Sequence, residues 1–421
     1  MNKTSNRFRH LVWPLVSLAL LLLFNAFFTD NFFKIEIKKQ DSAQTVQAPA
    51  VPDNPPAPGT SWITPENYEN SSDSAEAAAK TVDQAGQAAQ AAAEPQQAPE
   101  KNDGKGVSIF GYYLYGTPID ILNQGAKVMV LAIGMTLVIA TGGIDISVGA
   151  VMAIAGAIAA LLISMLDAGS FPGASMGPAI YWIIPVVAAL VLATLAGFWN
   201  GMLVAGFGIQ PMVATLVLMV AGRGVAQLIT DGQIITFDNP GLVFLCNGHA
   251  LFLPFSVWIV VTMYVVAGLL TRKTALGLFI ESVGNNERAS RYAGIEARRI
   301  KWLTYVICGF CAGVAGLLAA SNIKCADSNN AGLYLELDAI LATVIGGTSM
   351  AGGRFFLSGS LVGAILIQTL TTTMYMKNVS PAIVAVPKAM VVIIVCLLQS
   401  PVFRAKVLSI FASKAAKGGV Q

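Results

Sequence analysis

Long apolar runs separated by short polar stretches dominate the pattern of this chain. About ten runs approach or exceed the length that a helix needs to cross roughly 30 Å of hydrocarbon. They cover residues 11–28, 126–141, 144–166, 180–205, 211–229, 251–270, 302–320, 337–350, 357–374 and 383–398. The pattern predicts an all-α integral membrane protein with about ten transmembrane helices.

One polar stretch, residues 281–301, lies between the sixth and seventh runs and carries the signals of a short helix. Asn285 and Asn286 are typical N-cap residues, and Glu287 suits a first turn. Gly294 supplies a C-terminal stop. Because a helix of about two turns is marginal alone in water, we expect it to dock on a partner. We interpret it as a cytoplasmic coupling helix that takes motion from a motor protein, through Asn285, Asn286, Glu287, Arg288, Ala289, Arg291, Tyr292 and Gly294.

Composition indicates that lipid is the solvent of this chain. Hydrophobic residues make up 55% of it and charged residues only 12%, with a mean hydropathy of +0.65. An ordinary soluble core cannot hide so much apolar surface. Lysine and arginine cluster before the first run, after the sixth and after the tenth. The positive-inside rule therefore places both termini and the coupling helix in the cytoplasm.

The first run has a basic start and an apolar centre, as a cleaved secretory signal has. Phenylalanines crowd its end where cleavage requires small residues, so an uncleaved signal anchor is favoured. Residues 40–105 are rich in Ala, Gln, Pro, Ser and acidic residues, which predicts a largely disordered periplasmic insert. The expected organisation is an anchor and its flank at 1–39, the insert at 40–105, a transmembrane domain at 106–400 and a basic cytoplasmic tail at 401–421.

Motifs for catalysis and for metal binding are missing from the sequence. The two histidines, His10 and His249, have no metal-ligand neighbours. The sequence contains no nucleophile elbow, no zinc-protease motif and no phosphate-binding Gly-x-x-x-x-Gly-Lys-Ser/Thr loop. We expect no catalysis, metal, cofactor or nucleic acid on this chain, and we expect any ATP and magnesium to be held by a separate ATPase polypeptide.

Polar residues inside the predicted spans are costly and need a reason. Asp145 follows two glycines, and a pathway-lining helix break and a cytoplasmic turn capped by Asp145 are about equally favoured. For Arg223, an interhelical tie to a carbonyl or carboxylate is favoured over contact with a ligand. Glu336 and Asp338 are interpreted as a helix N-terminal feature. The candidates for a substrate pathway are Asp145, Asn200, Gln210, Arg223, Gln227 and Gln368, although interhelical hydrogen bonding is the commoner role of such amides.

The five cysteines fall into two groups. Cys308, Cys311 and Cys396 lie in predicted spans and are interpreted as small packing residues. Cys246 and Cys325 lie in predicted outer loops, where an oxidising compartment permits a disulfide. The sequence leaves open whether they pair or stay as free thiols, and free thiols are favoured.

Four ordered motifs carry a resemblance to a known family. They are GGIDISVG at 142–149, QPMVATL at 210–216 followed by Arg223-Gly224, GNNERA at 284–289 with Gly294-Ile295, and LELDAILATVIGG at 335–347 with Gly352-Gly353. Residues 116–400 resemble the permease subunit of bacterial ribose/xylose-type ABC sugar importers. Within that family they are most similar to the galactofuranose importer permeases, through residues 116–123 and 327–333.

The resemblance implies a permease of the bacterial inner membrane that imports a monosaccharide, driven by ATP. It implies a homodimer, an ABC ATPase subunit docked on residues 285–294 and a periplasmic sugar-binding protein. The 40–105 insert departs from the family, where this connection is short. A secondary ion-coupled transporter is the alternative, and it is disfavoured because the spans lack a carboxylate relay. The sequence leaves open which sugar is carried, and whether the second copy is identical.

Overall fold

The computed structural model describes residues 3–29, 32–39, 112–167 and 180–379, together with 383, 384, 386, 388–390 and 393. All of these residues belong to one compact unit. Residues 40–111, the 401–421 tail, Cys396 and most of the tenth predicted run lie outside the described residues. The expectations for them remain predictions.

The described part of the chain folds into helices joined by short connections. They are α1 Lys3–Phe28, α2 Thr117–Ala140, α3 Val148–Asp167, α4 Ile180–Gly201, α5 Pro211–Ile229, α6 Pro240–Asn247, α7 Phe255–Lys273, α8 Leu276–Asn285, α9 Glu287–Tyr292, α10 Ala297–Ile323, α11 Leu335–Ile345 and α12 Leu357–Met376. Met202–Gly206 continue α4 as one π-helical turn.

Seven helices in the described residues, α2 to α5, α7, α10 and α12, are long and apolar enough to cross a membrane. Helix α1 adds a shorter apolar part, Pro14–Ala26. This confirms the predicted all-α integral membrane fold.

The prediction of a full transmembrane helix at 337–350 is wrong. Helix α11 has eleven residues and is therefore about 16 Å long, which is too short to cross the hydrocarbon alone. The helix ends at Ile345 and is followed by Gly346 and Gly347, of which Gly347 has a φ of 90°. The chain still changes sides here, because Ala326 pairs with the strand that follows α5, whereas Gly353 bonds to the last residue of α2.

Two of the observed helices were not predicted from the sequence. Helix α6 starts at Pro240 and is capped by Asn239, whose side chain accepts hydrogen bonds from Gly241 N and Leu242 N. This Asn-Pro start is a readable signal. Helix α8 precedes the coupling helix and buries one face. Its buried positions, Gly277, Ile280 and Val283, recur every three residues, as on one face of a helix.

Helix α10 forms the centre of the bundle and packs against α2, α3 and α4. Small residues permit the close approach of these helices. A Cβ atom added at Gly309 would lie 2.7 Å from Gly197 Cα, so α4 and α10 are nearly in backbone contact. The buried face of α10 includes Tyr305, Cys308 and Cys311. The packing role predicted for these two cysteines agrees with their burial.

Three short antiparallel ribbons join the ends of the helices. Strand β1, Glu36–Lys39, pairs with β2, Tyr112–Tyr115. Strand β3, Ile235–Thr236, pairs with β6, Cys325–Ala326, and so joins the connections after α5 and α10. Strands β4, His249–Ala250, and β5, Leu253–Pro254, form a hairpin before α7. The pairing of β1 with β2 brings Lys39 opposite Tyr112.

Candidate coupling site and transport pathway

The predicted coupling helix is present as α9, six residues long. Its cap is Asn286, whose side chain accepts a hydrogen bond from Ala289 N at 3.0 Å. Asn285 is the last residue of α8, so its prediction as an N-cap is wrong. Gly294 follows the helix with a φ of 85°, a conformation that glycine adopts without steric cost.

One face of helix α9 is exposed, and the other packs against α8. Tyr292 is 93% exposed, and Arg288, Ala289 and Arg291 are also exposed. Ser290 faces inward, and its hydroxyl shares a 3.0 Å hydrogen bond with the hydroxyl of Ser282. The predicted contact residues therefore form a continuous surface, available to a partner.

Glu287 is the electrostatic centre of this segment. Its carboxylate accepts hydrogen bonds from Lys301 Nζ at 2.6 Å and from Arg291 Nη2 at 2.5 Å. The hydrogen bond from Lys301 lowers the pKa of Glu287 below its ordinary value, with Arg291 contributing in the same direction. Because Lys301 belongs to α10, this carboxylate ties the coupling helix to the central helix of the bundle.

Asp145 lies in the non-helical break between α2 and α3 and is 1% exposed. Its Oδ1 accepts hydrogen bonds from Ser147 N at 3.0 Å and Ser147 Oγ at 2.6 Å. Asn200 of α4 donates to Ser147 Oγ at 2.8 Å and to Asp145 at 3.4 Å. Asp145 thus bonds to Ser147, the residue before α3, and not to an amide of α3 as the capping interpretation required, and it is buried inside the bundle.

Tyr305 and Cys308 of α10 complete this buried polar cluster. Both side chains lie close enough to Asp145 to interact with its carboxyl group electrostatically. The Tyr305 hydroxyl and Asn200 Oδ1 have no hydrogen-bond partner among the described residues. Sequence reasoning missed Tyr305, because nothing in its neighbourhood in the sequence indicates a polar partner.

Arg223 joins α5 to the loop before α11. Its Nη1 donates to the carbonyls of Ser328 at 3.2 Å and Ala331 at 2.5 Å. The sequence favoured such a tie to a carbonyl, but it joins a helix to a loop and not two helices. One turn further along α5, Gln227 Nε2 donates to Asn329 Oδ1 at 2.7 Å. The two residues therefore hold the 327–334 loop against α5.

The first turn of α11 carries two buried acids, Glu336 and Asp338. Asp338 forms an ion pair with Lys388 Nζ, at 2.8 and 3.0 Å. Glu336 interacts electrostatically with Arg223, and its Oε2 lacks a hydrogen-bond partner within the described part of the chain. The helix N-terminal position predicted for both acids is observed.

The remaining pathway candidates stand apart from these groups. Gln210 is exposed at the start of α5, and its side chain makes no capping bond. Gln368 lies on α12 beside Gly125 of α2 and donates to Thr372 Oγ1 at 3.3 Å. The structure thus pairs Asp145 with Asn200 and Arg223 with Gln227, and it leaves Gln210 and Gln368 separate.

A second polar network links α2, α6, α7 and α10, and the sequence did not reveal it. Asn123 Oδ1 accepts from Ser256 Oγ at 2.5 Å and from Cys246 Sγ at 3.2 Å. Cys246 N in turn donates to Ser321 Oγ at 2.9 Å. Cys246 and Cys325 are both free thiols in the structure, in line with the alternative that the sequence favoured.

Residues 117–398 match the family described as branched-chain amino acid transport system / permease component. The galactofuranose transporter permease of Escherichia coli (strain K12) is 56% identical over 291 residues, which cover 69% of this chain and 81% of that protein. The chain belongs to this permease family. The fructose import permease of Bifidobacterium longum (strain NCC 2705) is 41% identical over 68% of this chain and 78% of its own length. The ribose import permease of Haemophilus influenzae is 36% identical over 66% and 83%.

These findings confirm the family that the four motifs indicated. No solved structure matches this permease. The apolar helices place the permease in a membrane that it crosses several times. A permease of an ABC importer works with an ATPase and a substrate-binding protein, so family membership implies both partners.

Proposed function

We propose that this chain is the membrane permease of an ATP-driven importer for a monosaccharide, with galactofuranose favoured among pentoses and hexoses. The observation that carries the proposal is the 56% identity to a galactofuranose permease over 291 residues. The family match over residues 117–398 covers the coupling segment, the Asp145 break and the 327–334 loop. The other relatives are named for fructose and ribose, so the sugar class is supported more broadly than the individual sugar.

The exposed face of α9 is the proposed docking surface for the ATPase subunit. Tyr292 supplies an aromatic side chain that is 93% exposed, and Arg288, Ala289 and Arg291 surround it. ATP and magnesium would bind to that subunit, and this chain would supply no catalytic group. Both termini would then lie in the cytoplasm of a bacterial cell with α9, by the positive-inside rule.

The substrate pathway is proposed to run beside α5 and the 327–334 loop, at the interface with a second identical copy. Polar groups lie there among apolar ones: Asn329 and Asn330 are exposed, half-buried Gln227 donates to Asn329, and the adjacent Leu228 is 78% exposed. Amides facing hydrocarbon are costly, which supports a water-filled or subunit-covered position. Amide groups and apolar faces suit the hydroxyls and ring of a neutral sugar.

Uptake by proteoliposomes tests the transport proposal. The vesicles would contain the permease with its ATPase and the sugar-binding protein, and the probes would be radiolabelled galactose, fructose, ribose and arabinose. We expect uptake that requires ATP on the ATPase side and persists when the proton and sodium gradients are collapsed. Uptake driven by an ion gradient without ATP would instead establish the secondary transporter.

Cysteine labelling tests the orientation in a variant that lacks the native cysteines. We expect an impermeant maleimide to label Leu251→Cys in cells with a permeable outer membrane, because Leu251 is 55% exposed in the β4–β5 hairpin. Tyr292→Cys should react only after the inner membrane is opened. Ser290→Cys should stay unlabelled in both cases because Ser290 is only 2% exposed. Reaction of position 292 in intact inner membranes would reverse the topology.

A further inference from the structure

Three backbone segments come into direct contact beside the coupling helix. Gly284 lies in α8, Gly352 and Gly353 follow α11, and Ala140 and Gly142 lie at the end of α2. A Cβ atom added at Gly284 would overlap the carbonyl oxygen of Ala140. A Cβ atom added at Gly352 would lie 2.8 Å from Gly284 O and 3.0 Å from Gly142 N. We call these five residues the glycine junction.

A hydrogen bond and a side-chain contact hold the glycine junction together. Gly353 N donates to Ala140 O at 2.8 Å. The Asn285 side chain packs directly against Gly353, where any Cβ atom would displace it. Backbone contacts of this kind leave no flexible side chain to absorb a displacement, so the segments must move together or separate.

On one side, the glycine junction is firmly connected to the coupling helix. Asn286 N donates to Ser282 O at 3.1 Å, across the boundary between α8 and α9. The hydroxyls of Ser282 and Ser290 share a second bond across the same boundary. Helices α8 and α9 therefore form one piece, and a displacement of α9 carries Gly284 with it.

On the other side, the glycine junction is connected to the two regions that hold the buried acids. The loop after α11 is closed by hydrogen bonds from Thr348 N to Thr343 O at 3.1 Å and from Gly352 N to Ser349 O at 3.0 Å. This loop directly follows α11, which carries Glu336 and Asp338. Ala140 leads directly into the break that holds Asp145.

We propose that the glycine junction transmits displacement of α9 to α11 and to the α2–α3 break. Through Gly352 and Gly353, the displacement moves α11, the short helix that follows the 327–334 loop. Through Ala140, it moves the α2–α3 break. The proposal rests on the proposed function, because it needs an ATPase that displaces α9. Its physical basis is that α8 contacts both the loop after α11 and the end of α2, so a displacement of α8 acts on both, as in hinge and shear transitions.

The experiment compares alanine at the glycine junction with alanine elsewhere, in the complete complex of permease, ATPase and sugar-binding protein. Gly352→Ala is the principal variant because its new Cβ atom meets backbone at 2.8–3.0 Å. Gly284→Ala is the more severe one. Gly268→Ala is the neutral control, because nothing lies within 4 Å of that position. Gly309→Ala is the packing control, because it crowds α4 against α10 away from the glycine junction.

Four quantities separate transmission from simple damage: melting temperature, co-purification with the ATPase, basal ATP hydrolysis, and galactose uptake with ATP hydrolysis stimulated by the sugar-binding protein. We expect Gly352→Ala to bind the ATPase and to keep its basal hydrolysis. Uptake and stimulated hydrolysis should fall by about 5- to 150-fold, the range typical of coupling between two sites. Gly309→Ala should lower the melting temperature and reduce uptake only in proportion to the protein lost.

Two results would overturn the transmission role. One is unchanged uptake and stimulation in a folded Gly352→Ala or Gly284→Ala complex. The other is equal uncoupling by Gly309→Ala at a matched melting temperature. If Gly284→Ala does not assemble, Gly352→Ala decides the question. Failure of the unmodified permease to bind the ATPase would instead reject the proposed function, so the two failures are distinguishable.

Discussion

The coupling segment and the Asp145 break are both polar regions of an apolar chain, yet they satisfy their polar groups differently. In the coupling segment, Asn286 caps an amide three residues ahead, and Glu287 pairs with Arg291 four residues ahead. In the break, Asp145 accepts hydrogen bonds from Ser147 two residues ahead and also one from Asn200, 55 positions away. Local partners can be read from spacing, whereas distant ones depend on how the helices pack.

The two regions also differ in what replaces a lost partner. Water reaches the exposed face of α9 and can hydrogen-bond to any group that loses its partner. Asp145 and Asn200 are 1% and 0% exposed, so an unpaired donor there has no substitute and costs the full desolvation penalty. The comparison therefore predicts large effects on stability in the break and small ones in the coupling segment.

Asp145→Ala tests the largest effect. It removes the acceptor for Ser147 N, Ser147 Oγ and Asn200 Nδ2, and we expect a loss on the order of 3 kcal/mol in unfolding free energy. Thermal unfolding of the detergent-purified protein measures it. Asp167→Ala is the matched control, because Asp167 is exposed at the other end of α3. Equal melting temperatures for the two variants would show that burial does not separate the two regions.

Asn286→Ala tests a smaller and more local effect. Loss of the cap should cost α9 about 1 kcal/mol of helix stability. Amide hydrogen exchange across Glu287–Tyr292 should then accelerate about fivefold, with the global melting temperature unchanged. Asn285→Ala is the control, since Asn285 makes no cap in the structure. Faster exchange in that control instead would return the capping role to Asn285.

Glu287→Gln tests the smallest effect, below about 1 kcal/mol for a solvent-accessible ion pair. The pKa of Glu287 is lowered from its ordinary value of 4.5, chiefly by the Lys301 hydrogen bond. Its stabilisation is therefore present above the ordinary pKa and is lost as the pH falls through the lowered folded value. Melting temperatures should differ between wild type and variant at neutral pH and converge in acid.

Glu296→Gln provides the control for this pH dependence. Glu296 pairs with Arg299, and their side chains are 60% and 80% exposed. We expect no measurable difference from wild type at any pH at which the protein stays folded. A difference between wild type and Glu287→Gln that grows in acid would contradict the assigned direction of the pKa shift.

The pattern of apolar runs predicted the spanning helices well, because lipid requires continuous apolar segments with internally paired backbones. It was less informative at 337–350, where the predicted run was extended past the end of α11 through two glycines, Thr348 and Ser349. There Gly346 packs against Gly359 of α12, and Gly347 adopts a positive φ. An apolar run reports burial, and burial by neighbouring helices cannot be told from burial by lipid. Helix α8 was not predicted because the polar stretch at residues 281–301, which begins inside it, dominated the pattern.

Among candidate site residues, the sequence correctly predicted the short exposed helix α9, whose coupling role stays a prediction, but not the pairing of the buried residues. Nothing in the sequence around Arg223 indicates that the carbonyls of Ser328 and Ala331 are its partners. Likewise, the sequence does not distinguish Tyr305 from the other residues on the apolar face of its transmembrane helix. Only the structure shows that it lies beside Asp145.

The sequence by itself determined the membrane setting, the family and the capped helix at Glu287–Tyr292, because these depend on composition and on interactions within a few residues. Only the tertiary structure decided the short length of α11, the polar cluster at Asp145 and the glycine junction. Each of these depends on backbones brought together from distant positions. Small residues permit such close packing between many pairs of helices, so their presence in the sequence does not specify which pairs meet.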